Sequence, residues 1–149
     1  MTYAIVFTGH RDVAHGHDLL IRNNISHHSN ASMIFIGGAR GADTIAMREA
    51  HRCAIPITVV VAATLNDQPG SFIDEFNKLP IRPRLIEMGL PYNADSLKKR
   101  NHLMVDTAIL EYGLDVQVLA YWDGRFRSGT YSAMCYAKRK SIQVRYIKL

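Results

Sequence analysis

Three glycine-bearing stretches of this sequence carry residue types that can hold an anion. The first is Gly37-Gly38-Ala39-Arg40-Gly41-Ala42-Asp43, which ends an apolar run and opens a helical pattern. Glycines at such a turn let the backbone come close to a ligand. The unpaired N–H groups and positive dipole end of the helix favour phosphate. Arg40 adds a guanidinium able to make paired contacts, and Asp43 can act instead as a stabiliser of the helix start. The spacing matches neither the dinucleotide fingerprint nor the Walker A pattern, so a plain strand-to-helix turn stays open as the alternative. The second stretch, Thr8-Gly9-His10-Arg11-Asp12, follows the first apolar run. Gly9 permits close approach there, and His10 and Arg11 can donate to a phosphate or a base. The third, Trp122-Asp123-Gly124-Arg125-Phe126-Arg127-Ser128-Gly129-Thr130, again leads into a helical pattern. Ser128 or Thr130 can cap that helix, and Trp122 can stack on a base or simply close the end of a strand.

Outside these turns, Lys98-Lys99-Arg100-Asn101 lies on a long helical pattern. Asn101 shares the face of Leu97, Met104 and Val105, and an inward amide must find partners, in a ligand or in a neighbouring loop. Lys98 and Lys99 read as solvated. Asp12, Asp43 and Asp123 are the carboxylates near the turns. The seven histidines are scattered. His15 and His17, and the pair His27-His28, lack partners at metal-ligand spacing, so no metal is expected, and no other cofactor. Spacing alone assigns no Ser/His/Asp set.

Positioning these turns requires strands that alternate with helices. The apolar runs Tyr3–Phe7, Met33–Ile36, Ile57–Ala62, Val116–Tyr121 and Ile142–Ile147 read as strands, and Arg84–Met88 as a weaker one. Helical periodicity covers Asp18–His27, Gly41–Ala54, Ser71–Lys78, Asp95–Tyr112 and Gly129–Lys140. The fold class this implies is α/β: a Rossmann-like, mostly parallel sheet with helices on both faces and right-handed crossovers. Thr64–Asn93 carries four of the five prolines and reads as an irregular excursion, a lid or a decoration.

Composition sets the outer limits. The 149 residues suit one domain, 1–149. No apolar run is long enough for a membrane span, and the start lacks the pattern of a signal peptide, so a cytoplasmic location is expected. Cys53 and Cys135 fall in helical patterns and read as buried thiols. From Lys98 onward ten Lys or Arg stand against four Asp or Glu; before it there are eight against nine. That asymmetry suits a polyanion or a phosphorylated ligand, with a solvated basic face as the alternative.

Together these stretches resemble the SLOG superfamily, which joins the DNA-processing protein A fold to the "lonely guy" phosphoribohydrolases. The residues that carry the resemblance are Phe7–Asp12, Gly37–Asp43, Arg100-Asn101-His102-Leu103-Met104-Val105-Asp106 and Ser128-Gly129-Thr130. The sequence is similar in particular to small bacterial and phage proteins of that group. The resemblance implies a Rossmann-like sheet with a pocket for a nucleotide-derived ligand, contacted by Thr8–Arg11, Gly37–Gly41, Asp43, Arg100, Asn101, Trp122 and Ser128–Thr130. In the phosphoribohydrolases a helix arginine and a glutamate after the glycine-threonine turn carry catalysis. Arg100 matches the arginine; Ala133 stands where the glutamate falls, and Arg125–Ser128 replaces the family's proline-glycine-glycine. The leading expectation is therefore a nucleotide-binding sensor or sequestering protein, assembled as a dimer or tetramer. The alternatives are a nucleotide N-glycosidase, with Arg100, Asp12, Asp43 or Asp123 as its candidate groups, and a single-stranded DNA-binding protein. Against the last, the sequence offers no obvious series of aromatics interleaved with basic residues.

Overall fold

The computed structural model describes residues 2–147. β1 (Ala4–Gly9), β2 (Met33–Gly37), β3 (Ile57–Val61), β4 (Arg84–Glu87), β5 (Val116–Tyr121) and β6 (Gln143–Tyr146) form one sheet in the order β4-β3-β2-β1-β5-β6. Every pairing is parallel. The four inner strands are largely apolar along their length because both of their faces are covered. Ile5, Phe7, Ile34, Ile36, Val59 and Val61 turn to one side. Val6, Phe35, Val60 and Val118 turn to the other. The edge strands β4 and β6 carry Arg84, Glu87, Gln143 and Arg145, polar groups that discourage further pairing at an open edge.

Helices α1 (His17–Ser26), α2 (Ala42–Arg52) and α3 (Gly70–Lys78) pack on the first face; α4 (Ala94–Tyr112) and α5 (Gly129–Arg139) pack on the second. The chain winds outward from β1 to β4, then returns through α4 to β5 on the opposite side of β1. Helices therefore diverge on either side of the β1/β5 boundary. In open parallel sheets the crevice at this reversal, beyond the carboxyl ends of the strands, is where ligands bind. The turns after β1, β2 and β5 all lie on that edge.

Two expectations are corrected. Thr64–Asn93 is not mainly irregular: the expected short helix and weaker strand are present as α3 and β4, a short helical turn at Leu65–Asp67 precedes them, and Phe72 and Phe76 are buried in the first core. Proline spacing misled here because the four prolines fall between these elements or at their ends. Cys53 and Cys135 are half-buried rather than buried, and neither is bridged; Cys53 lies just past the end of α2. No described helix is long and apolar enough to cross a membrane.

Candidate functional site

A cleft of about 830 Å³ opens at the β1/β5 reversal. Its floor and walls come from the β1 turn (Thr8–Asp12), Ala39, the first half of α4, the Arg125–Ser128 loop and one side of α5 from Gly129 to Arg139. Arg11, Lys98, Arg100, Arg125, Arg127 and Arg139 line it, against the single carboxylate of Asp12.

The N-termini of α2 and α5, both near this cleft, differ. That of α2 is already used by the protein. Asp43, 3% exposed, accepts from the Ala39 N–H at 3.1 Å, and the Ala42 N–H donates to the His10 carbonyl at 3.3 Å. Gly41 has φ +74°, and a side chain there would overlap the Arg11 carbonyl. At Gly37 an added Cβ would run into the buried Arg100 guanidinium. Gly38 faces Gln68 and Val61, and Gly9 faces Ala42. These glycines admit protein neighbours. Of the Gly37–Asp43 turn only Ala39 lines the cleft, while Arg40 is exposed and pairs with Asp12 at 3.0 Å.

The N-terminus of α5 faces the cleft. The Ser128 hydroxyl caps the helix by accepting from the Tyr131 N–H at 3.1 Å and donates to the Arg125 carbonyl at 3.0 Å. The Gly129 and Thr130 N–H groups take no acceptor among the described residues. Such groups, at a positive dipole end, suit an anion.

Arg100 links the two regions. It is 7% exposed, its Nε donates to Asn101 Oδ1 at 2.9 Å, and its Nη1 has no hydrogen-bond partner among the described residues. Asn101 Nδ2 donates onward to the Gly129 carbonyl at 3.3 Å, so the inward amide ties α4 to the start of α5. Asp43 and Arg100 flank Gly37 without a hydrogen bond between them. Burial pushes the Asp43 carboxyl up to about 6, with Arg100 opposing the rise. Burial also lowers the Arg100 guanidinium, against the attraction of Asp43.

His10 joins β1 to the β5 loop. Its Nε2 lies 2.9 Å from Asp123 Oδ1 and its Nδ1 lies 3.0 Å from Arg125 Nη2. Each ring nitrogen faces an obligate donor, the Arg125 guanidinium at Nδ1 and the Asp123 backbone N–H at Nε2, 3.1 Å away, while the Asp123 carboxylate lies beside the same Nε2. Burial pushes this imidazole below its ordinary range; the Asp123 carboxylate opposes that and the Arg125 guanidinium adds to it. The ring is therefore neutral near pH 7.

Trp122 does not line the cleft. Its Nε1 donates to the Arg125 carbonyl at 2.7 Å, and its ring stacks on Tyr131 with centroids 5.4 Å apart. Phe126 and Tyr146 meet the same indole edge-on. Sequence reading missed this aromatic group because Tyr146 and Tyr131 lie far from Trp122 along the chain. The alternation Arg125-Phe126-Arg127 was its one local signal. Among the described residues no three His, Cys, Asp or Glu side chains gather as metal ligands.

The class this architecture defines is a doubly wound α/β protein with a cationic cleft at its switch point. Known structures share the fold. DNA processing protein A of Streptococcus pneumoniae is 16% identical with a TM-score of 0.77, over 97% of this chain and 50% of that one. DNA processing protein A of Helicobacter pylori, described for its single-stranded DNA binding mode, is 17% identical with a TM-score of 0.73, over 97% and 64%. The molybdenum cofactor binding protein of Rippkaea orientalis is 15% identical with a TM-score of 0.51, over 98% and 89%. The chain thus spans between half and two thirds of the DNA processing proteins. The expected likeness to their fold is present. No protein-family model matches the chain, and no curated protein matches it.

Proposed function

We propose that the chain binds a nucleotide or nucleotide-derived phosphorylated molecule in the β1/β5 cleft, as a sensor or sequestering protein. The observation that carries this reading is the start of α5. Two N–H groups without acceptors among the described residues belong to the lining of a cleft that also carries six cations and one carboxylate. A phosphate there gains the helix dipole and charge-assisted hydrogen bonds together. The Nη1 of Arg100, buried and without a hydrogen-bond partner among the described residues, leaves a guanidinium that Asn101 and the nearby Asp43 satisfy only in part. A cofactor-binding protein and DNA processing proteins on the same fold are compatible with the reading.

Thermal stabilisation tests it. A saturating ligand at a hundredfold excess over Kd raises stability by about 2.7 kcal/mol. Some member of a panel of mono-, di-, cyclic and ADP-ribose-type nucleotides should shift the melting temperature. Arg127→Glu, at an exposed position on the cleft wall, should reduce that shift without altering the unliganded melt. A panel without any shift in the parent protein removes the proposal.

A second reading, single-stranded DNA, is favoured by the exposed Arg125-Phe126-Arg127 triplet. It requires affinity that falls steeply with salt, because phosphate contacts release counterions.

A further inference from the structure

Phe126 is out of place if the cleft holds only phosphate. Phe126 is 69% exposed, yet it lines the cleft between Arg125 and Arg127. It is not there because its loop is loose. Trp122 Nε1 and the Ser128 hydroxyl both donate to the Arg125 carbonyl, at 2.7 and 3.0 Å. The Arg125 N–H donates to Asp123 Oδ1 at 3.1 Å, and the Arg125 side chain pairs with the same carboxylate at 2.8 Å. The peptide on one side of Phe126 is thus held at several points. The ring itself rests edge-to-face on Tyr131, with centroids 5.1 Å apart at 86°, and against Trp122 at 5.7 Å and 64°. Tyr131 in turn stacks on Trp122 at 25°. Three aromatic rings thus hold one of their number out toward solvent, between two arginines.

Building on the nucleotide reading, we propose that Phe126, backed by Tyr131 and Trp122, is the stacking platform for the base of the bound nucleotide, whose phosphates sit at the start of α5. An exposed ring of this kind suits a planar π-face. Stacking on an aromatic accepts any base, because every base has such a face. The flanking Arg125 and Arg127 suit a ligand whose planar part is tethered to anions, not a neutral apolar surface. The spacing agrees: Phe126 and Gly129 are three residues apart, at most roughly 10 Å of chain, and both line the same cleft. A base and its own phosphates are separated on that scale. The platform predicts an order of preference. Nucleoside diphosphates should bind better than inorganic pyrophosphate, with only modest discrimination among bases.

The test compares ADP, GDP, CDP, UDP and a thymidine oligonucleotide with inorganic pyrophosphate by titration calorimetry, on the parent, Phe126→Ala and Phe126→Tyr. The single tryptophan, Trp122, supplies a second readout, since its indole touches the Phe126 ring and its fluorescence should change when a base docks. In the parent, nucleoside diphosphates should bind on the order of tenfold more tightly than pyrophosphate and alter Trp122 fluorescence, while pyrophosphate should not alter it. Phe126→Ala should abolish that advantage and leave pyrophosphate affinity unchanged; Phe126→Tyr should keep it. If Phe126→Ala binds the nucleoside diphosphates as tightly as the parent, the platform is wrong while nucleotide binding stands. If it weakens pyrophosphate equally, the ring serves only to shape the loop, and the platform is again wrong. Binding confined to a thymidine oligonucleotide overturns the assignment in favour of nucleic acid. A parent that binds no nucleotide overturns both readings together.

Discussion

Asp43 and Arg100 are the residues whose burial has the clearest energetic consequence. Asp43 has an ordinary value of 3.8 and is pushed up to about 6 by burial. The unfolded chain therefore loses this proton at lower pH than the folded one. Between those two values the folded state binds the extra proton, so Asp43 contributes stability below pH 3.8 that is lost as pH rises through 6. The size is on the order of 3 kcal/mol, at 1.36 kcal/mol per pH unit. Asp43→Asn keeps an oxygen for the Ala39 N–H and cannot ionise. Urea unfolding from pH 4 to 8 should show the parent losing stability relative to this variant across that window, and the variant at least as stable at pH 8. A variant that retains the parent's pH profile would assign the slope to another group. His10 acts in the opposite sense. Its lowered value supplies stability above its ordinary 6.5 that is lost as pH falls, which is why the single variant is needed to separate the two.

Among the elements, the two helix starts make different demands on their glycines. Gly41 combines a positive φ with overlap against the Arg11 backbone. Gly41→Ala should therefore destabilise by about 3 kcal/mol or more, from left-handed strain plus displacement of the β1 turn. At Gly129 an added Cβ meets only Asn101 Nδ2 at 3.5 Å, so Gly129→Ala should melt no lower than the parent. Chemical denaturation of the two variants checks the contrast, and equal losses would contradict the packing described. The same contrast marks how far the sequence could be read. Strands and helices were legible because fully covered strands are largely apolar along their length and the helices carry one apolar face; β5 was found to the residue. The Gly37–Asp43 turn was legible as a tight turn but not as an occupied one. Its occupants, Arg100 and the Arg11 backbone, come from other elements, and nothing local announces them. Asn101 was legible as an inward amide, whereas its partner, the Gly129 carbonyl, was not. The aromatic group around Trp122 needed β6 to be placed beside β5 before Tyr146 could be counted in it.

Across the whole molecule, the charge asymmetry of the chain becomes a spatial one. Five of the six cations lining the cleft, Lys98, Arg100, Arg125, Arg127 and Arg139, come from the basic last third, which the fold wraps around the β1/β5 reversal. That field attracts phosphate, but it opposes the chemistry of N-glycosidic cleavage, which builds positive charge on the sugar. A fixed carboxylate beside the sugar is what such a reaction needs. Here Asp12 is engaged by Arg40 at 3.0 Å, and Asp123 by Arg125 and His10 at 2.8 and 2.9 Å. Asp43 lies behind Gly37, outside the cleft lining. Ala133, where the resemblance puts a catalytic glutamate, is 1% exposed in the packed face of α5. A glutamate there would be buried rather than presented to a ligand, so Ala133→Glu should lower stability without creating activity. Loss of a principal electrostatic group slows catalysis by roughly a hundred- to a thousandfold. Incubated with AMP for hours at high protein concentration, the parent should release no adenine detectable by chromatography. Efficient release would mean that a bound ligand frees Asp12 or Asp123 from its arginine. Single Asn substitutions at those two positions would then identify the group, because only one of them should abolish turnover.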